Sequence, residues 1–233
     1  MLPLLSSAGH NVTAIDLAAS GIDPQQIDAV RTFSQYSQPL RDYLASLPPA
    51  EKVVLVAHSF GGLAAAQAME IFPGRISVAV FIAAFMPGPS YSASTLFQEV
   101  YLNQEGPQLD NRFTYENGPN NPPTTLTFGP NYLLRNLYNL SPIQDWALAT
   151  TLVRPTRFFD VQEIVLTQSN YGSVKRVFIA TDVDFDVPRQ FQERIISQTP
   201  PDELHQILGS DHVPMASRPL ELRNCLLAIG GRY

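Results

Sequence analysis

Residues 51–62 read EKVVLVAHSFGG, and this stretch decides the fold. The run from Lys52 to Ala57 is almost wholly apolar, which is typical of a parallel strand buried on both faces of a sheet. A helix rich in small residues is predicted from Leu63 to Ile71, and Pro73 and Gly74 end it. The stretch therefore predicts a strand, a tight turn and a helix in immediate succession.

The turn between that strand and that helix carries Ser59. A serine at such a turn has a strained backbone and projects its hydroxyl above the sheet, so Ser59 is the predicted nucleophile. A bulky residue two positions to either side is expected to collide with the returning chain, and Ala57, Gly61 and Gly62 are all small. The helix N-terminus supplies positive potential and N–H donors, and we expect the Phe60 N–H to be one donor to an oxyanion.

A serine nucleophile requires a base, usually a histidine that a carboxylate orients. The chain has four histidines. His10, His58 and His205 are interpreted as structural or exposed, because they lie in an early turn, beside the serine and within a predicted strand. His212 follows the predicted strand Leu204 to Leu208, at the sheet edge where active sites gather, and is the predicted base.

The acid is expected in the loop that follows the predicted strand Val174 to Ala180. This loop reads TDVDFDVP and offers Asp182, Asp184 and Asp186. Spacing alone does not choose among them, and at least two are expected to be solvated. An order of serine, aspartate and histidine along the chain is the one known for strand–turn–helix nucleophiles.

Other elements complete an alternation of strands and helices that predicts a parallel sheet. We predict a strand at Val12 to Leu17, an amphipathic helix at Thr32 to Ser46, a strand at Ile76 to Ala83 and a last helix at Pro219 to Ile229.

Between Pro87 and Asn170, clustered Pro, Asn and Gly residues indicate an insertion without a sheet. Within it, Ser141 and Gln144 stand at the offsets of an N-cap and its capping-box partner for a helix through Leu152. We interpret this segment as a helical lid. The predicted division is a core of residues 1–87 and 171–233 and a lid of residues 88–170.

Composition narrows the class of protein. The 233 residues are 45% hydrophobic and 15% charged, as one globular domain requires. A net charge of -6 disfavours nucleic acid or an anionic membrane as a partner. Cys225 is the single cysteine, so an intrachain disulfide is excluded, and neither a signal peptide nor a membrane-spanning run is recognisable. A cytoplasmic location is expected.

Six stretches together resemble the plant methylesterase family, which includes salicylic-acid-binding esterases, polyneuridine aldehyde esterases and α-hydroxynitrile lyases. They are residues 8–23 (AGHNVTAIDLAASGID), 51–62, 79–87 (AVFIAAFMP), 127–142 (TFGPNYLLRNLYNLSP), 152–155 (LVRP) and 171–184 (YGSVKRVFIATDVD). The resemblance implies an α/β-hydrolase fold: a mostly parallel sheet flanked by helices, with a helical lid inserted after the strand that follows the nucleophile helix.

The resemblance also implies a catalytic triad of Ser59, Asp184 and His212. It implies hydrolysis of small carboxylic esters, often methyl esters of salicylate, jasmonate or indole-3-acetate, through an acyl-enzyme and without a metal or an organic cofactor. The expected partner is the ester or its acid product, and a homodimer is left open. Lid aromatic residues are candidates for the pocket wall: Phe97, Tyr101, Phe113, Phe128, Tyr132 and Trp146.

The sequence departs from the family pattern at four places. Members begin with a strand and an H-G turn, and this sequence starts after both, which predicts loss of one oxyanion donor and a kcat lower by on the order of 10²- to 10³-fold. Ala57 replaces a glycine and is expected to be tolerated, whereas Phe60 is expected to narrow the pocket. Val213 replaces the lysine of the lyases, which favours an esterase over a hydroxynitrile lyase. A non-catalytic module that binds a small hormone-like acid is the other alternative.

Overall fold

A computed structural model of the chain describes residues 1–99 and 107–233. Its strands are β1 Val53–His58, β2 Ile76–Ile82, β3 Arg112–Thr114, β4 Thr125–Thr127, β5 Thr156–Arg157, β6 Lys175–Thr181 and β7 Glu203–Ile207. Its α-helices are α1 Leu2–Ser6, α2 Phe33–Tyr36, α3 Gln38–Ser46, α4 Gly61–Ile71, α5 Ala93–Phe97, α6 Pro130–Tyr132, α7 Ile143–Leu152, α8 Arg189–Gln198, α9 Pro214–Ser217 and α10 Pro219–Gly230. A π-helical turn, Leu133–Leu137, follows α6.

The main sheet has the strand order β1-β2-β6-β7, and every pairing in it is parallel. Alternate side chains of β2 enter opposite layers: Val78 and Val80 pack in the cluster that contains α10, whereas Ala79 and Phe81 pack in the cluster that contains α4. Both faces are therefore covered by helices, as the apolar strand sequences predict. Because every strand is parallel, the carboxyl ends of β1, β6 and β7 lie along one edge of the sheet.

The predicted strand at Val12 to Leu17 is wrong, because residues 11–17 form no regular element. A strand persists only where a neighbouring strand completes its ladder of hydrogen bonds. In the described part of the chain, β1 pairs with β2 alone, so no strand lies between β1 and this segment.

The helix predicted from Thr32 to Ser46 is two helices, α2 and α3, that meet at Ser37. Pro39 lies in the first turn of α3, where its missing N–H costs no hydrogen bond. Thr32 caps α2 with a full capping box, in which its hydroxyl accepts from the Gln35 N–H and the Gln35 side chain accepts from Thr32 N–H.

The predicted lid segment contains a sheet, contrary to the expectation that it has none. Strands β3, β4 and β5 form a small antiparallel sheet beside helices α5, α6 and α7. Such short, threonine-rich strands carry little of the apolar signal that marks the buried strands of the main sheet.

The N-cap predicted at Ser141 is also wrong. Pro142 is the N-cap residue of α7, and the Ser141 hydroxyl donates instead to Asp211 Oδ2 at 2.7 Å. The Leu140 N–H donates to the same oxygen at 3.0 Å. Because Asp211 precedes His212, these bonds fasten the segment before α7 to the histidine loop. Across residues 1–99 and 107–233, no helix has the length and apolar character needed to cross a membrane.

Candidate active site

The turn between β1 and α4 holds Ser59 in a strained backbone conformation. Its φ is +51°, a left-handed value that a residue with a side chain rarely adopts and that costs on the order of 1 to 3 kcal/mol. The neighbouring β2 segment stabilises this conformation, because the Ser59 N–H donates to Ile82 O at 3.2 Å and the Phe85 N–H donates to Ser59 O at 3.0 Å. Ser59 therefore stands at the carboxyl end of β1, as predicted.

The steric requirement for small residues at this turn falls on one glycine. A Cβ added to Gly62 would lie 2.1 Å from Phe85 O, whereas a Cβ added to Gly61 would meet no atom within 4 Å. The expectation that a larger residue two positions after the serine would collide with the chain is therefore wrong for Gly61. The collision occurs three residues away, because α4 packs there directly against the backbone that follows β2.

His212 and Asp184 form a buried pair at the ends of β7 and β6. The distance between His212 Nδ1 and Asp184 Oδ2 is 2.8 Å, and the two residues are 1% and 3% exposed. The Nδ1–H donates to the carboxylate, which fixes the tautomer and orientation of the neutral imidazole. The sequence alone left three aspartates open, and the structure brings Asp184 to the histidine in this way.

The Asp184 carboxylate is held by donors from its own loop. Its Oδ1 accepts from the N–H groups of Asp186 and Val187 at 3.0 and 2.8 Å, and its Oδ2 accepts from Thr181 Oγ1 at 3.0 Å. Gln192 on α8 braces this loop, because its side-chain amide donates to Val187 O at 2.8 Å and accepts from the Thr181 N–H at 3.0 Å. Gln192 was not predicted from the sequence, because no local motif marks it.

Asp186 is buried beside the other nitrogen of the same imidazole. It is 7% exposed, and its Oδ2 lies 3.7 Å from His212 Nε2. The Tyr132 hydroxyl donates to its Oδ1 at 2.9 Å. The expectation that at least two of the three loop aspartates are solvated is therefore wrong for Asp186, which is buried and accepts a hydrogen bond from Tyr132 of α6. Burial raises the pKa of Asp186, an effect that the charge of His212 opposes.

The pKa of His212 is also subject to opposing effects. Burial lowers the pKa of His212, but the charge and the hydrogen bond of Asp184, followed by the charges of Asp186 and Asp211, outweigh burial and raise this pKa to about 9. The Ser59 hydroxyl and His212 Nε2 form no hydrogen bond, although both residues belong to the described part of the chain. Catalytic hydrogen bonds are often long without substrate and tighten when it binds.

His58 ties the serine turn to the histidine loop. Its Nε2–H donates to His212 O at 2.6 Å, and the two imidazole rings are 4.7 Å apart. Burial, and then the charge of His212, lower the pKa of His58 to about 3. The pKa of His58 is therefore lowered, whereas that of the adjacent His212 is raised. The contact agrees with the interpretation of His58 as a structural residue.

A pocket of about 140 Å³ opens at Ser59. Most of its wall is aromatic or aliphatic: Tyr36, Phe60, Phe97, Phe128, Leu137 and Phe158. Its polar lining residues besides Ser59 are Thr156, Arg157 and Asp186.

Some predicted lining residues lie elsewhere. Of the predicted lid aromatics, Phe97 and Phe128 line the pocket, and Tyr101 lies outside the described residues. Phe113 stacks on Phe158 with ring centroids 6.5 Å apart, and Trp146 Nε1 donates to Pro130 O. In the parts of the chain that the structure covers, no group of three or more His, Cys, Asp or Glu residues could hold a metal ion.

Phe60 is the N-cap residue of α4 and a wall of the pocket, as its predicted narrowing effect requires. Its ring centroid lies 5.9 to 6.1 Å from those of Phe33, Tyr36, Phe85 and Phe97. This aromatic cluster joins the serine turn to α2 and α5.

Comparisons with known proteins identify the family of this chain. The alpha/beta hydrolase family matches residues 1–224. Methyl jasmonate esterase 1 of Vitis vinifera is 47% identical over 222 residues, which cover 94% of this chain and 85% of that protein. Polyneuridine aldehyde esterase of Rauvolfia serpentina is 40% identical over 234 residues, which cover 97% of this chain and 88% of that protein.

A solved structure with the same fold is tomato methylketone synthase I in complex with 2-tridecanone. It is 49% identical and superposes with a TM-score of 0.92 over 100% of this chain and 91% of that chain. The α/β-hydrolase fold that the resemblance implied is thus confirmed. The chain belongs to the alpha/beta hydrolase family, as a carboxylic ester hydrolase of the plant methylesterase group.

Proposed function

We propose that the chain is a serine carboxylesterase in which Ser59 is the nucleophile, His212 the general base and Asp184 the residue that orients it. One observation carries the proposal: the strained turn presents Ser59 at the sheet edge where the buried Asp184–His212 pair also lies. A positive φ at a serine is costly, and such strain persists mainly at functional sites.

The reaction proceeds in two halves. Neutral His212 accepts the Ser59 proton through Nε2 while the hydroxyl oxygen attacks the ester carbonyl. The tetrahedral intermediate collapses, the protonated His212 gives its proton to the leaving alcohol, and an acyl-Ser59 ester remains. Water, deprotonated by His212, attacks that ester; the acyl–oxygen bond to Ser59 breaks, the acid is released, and His212 gives its proton to the Ser59 oxygen. Asp184 stabilises the imidazolium in both halves through Nδ1.

The oxyanion is stabilised at the N-terminus of α4. Phe60 follows the nucleophile and is the N-cap residue of that helix, so its N–H lies at the positive end of the helix dipole. Backbone N–H groups of this kind supply on the order of 10²- to 10³-fold in kcat each.

The pocket favours a compact apolar acyl group. Its volume of about 140 Å³ and its aromatic walls suit a small ring system. Together with the relative that is named a methyl jasmonate esterase, this supports methyl esters of salicylate, jasmonate or indole-3-acetate as the substrate class. In this proposal residues 88–170 form the lid over a core of residues 1–87 and 171–233, and the enzyme acts in the cytoplasm.

The test is ester turnover by the chain and by Ser59→Ala. The panel contains a generic aryl acetate, the three methyl esters above and a methyl 3-oxoalkanoate, because the relative methylketone synthase I was crystallised with beta-ketoheptanoate. We expect Ser59→Ala to lower kcat by on the order of 10⁶-fold. Ser197→Ala, which removes an exposed hydroxyl from α8, is the matched control and is expected to keep full activity.

A covalent trap separates the esterase from its alternatives. A fluorophosphonate should add to the peptide that contains Ser59, and mass spectrometry should find no adduct in Ser59→Ala. Folded protein without turnover that binds the free acids tightly would contradict the esterase and support the binding module. Release of cyanide from a cyanohydrin without ester hydrolysis would support the lyase, which the residue Val213 disfavours.

A further inference from the structure

His212 has a carboxylate on each side of its ring, and the proposed triad uses only one of them. Asp184 Oδ2 is 2.8 Å from Nδ1, and Asp186 Oδ2 is 3.7 Å from Nε2. Nε2 is the atom that must accept the Ser59 proton. The carboxylate of Asp186 therefore lies against the reactive nitrogen, and Asp186 and Ser59 line the same pocket.

We propose that Asp186 is a positioning residue that retains a proton on the Nε2 side of His212 in the unliganded enzyme and so raises the pH at which the esterase becomes active. This inference deepens the proposed function and rests on it. It assigns Asp186 a role in the proton equilibrium of the base, not in bond formation with the substrate.

The geometry gives this role a direct physical basis. At 3.7 Å the carboxylate of Asp186 attracts a proton on Nε2, and that proton occupies the lone pair that the Ser59 hydroxyl needs. Burial of both residues keeps water from screening their attraction. The site is consistent with this state, because the Ser59 hydroxyl and Nε2 form no hydrogen bond in the described structure, whereas Asp186 faces Nε2.

Neighbouring groups determine how strongly Asp186 attracts the proton on His212 Nε2. Among the described residues, Asp184, Asp186, Asp211 and the adjacent His58 are the titratable groups that influence His212, and their net effect with burial raises its pKa to about 9. Asp186 itself is influenced by His212, Asp184 and the Tyr132 hydroxyl, which donates to Oδ1. That hydrogen bond favours the charged form of Asp186 and so strengthens the attraction of its carboxylate for a proton on His212 Nε2.

The decisive variant is Asp186→Asn, which keeps the size of the side chain and removes its charge. An opposite charge at this distance shifts a pKa by about 1 unit or more, so we expect the acid limb of kcat/KM to move down by about 1 pH unit. At neutral pH the variant should then be about tenfold more active than the unchanged enzyme, and the two should converge at high pH. Simple damage to the site would lower activity at every pH.

Two further variants control the interpretation. Tyr132→Phe should move the acid limb in the same direction by a smaller amount, because it weakens the charged form of Asp186 without removing it. Asp182→Asn removes another carboxylate from the same loop. The Oδ1 of Asp182 accepts from the Ser210 N–H, and Asp182 is not among the groups that shift the pKa of His212. We expect its acid limb to coincide with that of the unchanged enzyme.

A titration that needs no substrate separates this inference from the proposed function. In NMR spectra of isotope-labelled histidine, assigned with His212→Gln, the His212 resonances should titrate about 1 pH unit lower in Asp186→Asn. If they titrate at the same pH in both proteins, Asp186 does not hold the proton and the inference is overturned. If they shift as expected while no ester is turned over, the inference stands for the His212 site and the proposed function fails.

Discussion

The turn at Ser59 and the loop from Thr181 to Pro188 both follow parallel strands of one sheet, yet they are built in different ways. The turn is a local structure, in which the strand, the serine and the glycine-containing helix all lie between Val53 and Ile71, and backbone bonds to β2 and the residues after it hold the turn. The loop depends on distant residues, because Gln192 on α8 braces it and Tyr132 of α6 donates a hydrogen bond to the buried Asp186. A local motif can thus position the proposed nucleophile, Ser59, whereas tertiary packing sets the surroundings of the proposed acid, Asp184.

After Ser59→Ala, the largest effect should come from the loop, through Asp184→Asn. The variant removes the charge that stabilises the imidazolium and allows the amide to favour the wrong tautomer of His212, so we expect kcat to fall by on the order of 10⁴-fold. Steady-state kinetics with the best ester of the panel measures it. Asp184→Asn and Asp186→Asn should thus have opposite effects at neutral pH, and an equal loss in both would break the distinction between the two carboxylates.

In the turn, the two glycines after Ser59 should respond differently to the same methyl group. Gly62→Ala places a Cβ against Phe85 O and should lower the free energy of unfolding by about 3 kcal/mol. In a chain of this size this corresponds to a fall in Tm of roughly 10 °C.

Gly61→Ala is the matched control for that experiment. Its Cβ meets no atom within 4 Å and replaces the glycine at the start of α4, so stability should stay equal or rise by about 0.5 kcal/mol. Thermal unfolding followed by circular dichroism compares the two variants. Equal melting temperatures would show that the backbone after β2 can move away and that the turn is less rigid than its bonds indicate.

A pH-dependent effect concerns the contact between turn and loop. The pKa of His58 is lowered to about 3 in the folded protein, so the unfolded chain binds the proton more readily and the free energy of unfolding should fall as the pH drops from 6.5 towards 3. His58→Asn keeps a donor for His212 O and cannot titrate. Its Tm should therefore depend less on pH in this range, and an unchanged pH dependence would contradict a buried neutral His58.

The same contrast explains what the sequence could predict. The strand that ends at His58, the helix that ends at Ile71 and the position of Ser59 follow from apolar runs and turn residues that are adjacent in the chain. His212 was predicted from its place after a strand. The burial of Asp186 could not be predicted in this way, because Tyr132 is more than 50 residues away and reaches it only through the tertiary fold.

The errors have the same origin. Val12 to Leu17 has the composition of a strand, but a strand also requires a partner, which composition does not encode. Ser141 satisfies a capping pattern, but its hydroxyl donates to the nearby carboxylate of Asp211 instead. A hydrogen bond to a charged carboxylate is stronger than one to a neutral backbone group of α7. In both cases a local preference yields to contacts that only the tertiary structure defines.

Trp146 is the only tryptophan of the chain and lies on α7, within residues 88–170. Its indole N–H donates to Pro130 O at 2.9 Å and thereby links α7 to α6, whose Tyr132 covers Asp186. Ultraviolet excitation selective for tryptophan therefore reports on this part of the molecule without a signal from the main sheet. The protein thus contains an intrinsic fluorophore whose emission can follow, in real time and without labelling, how this segment responds when an ester enters or an acid leaves.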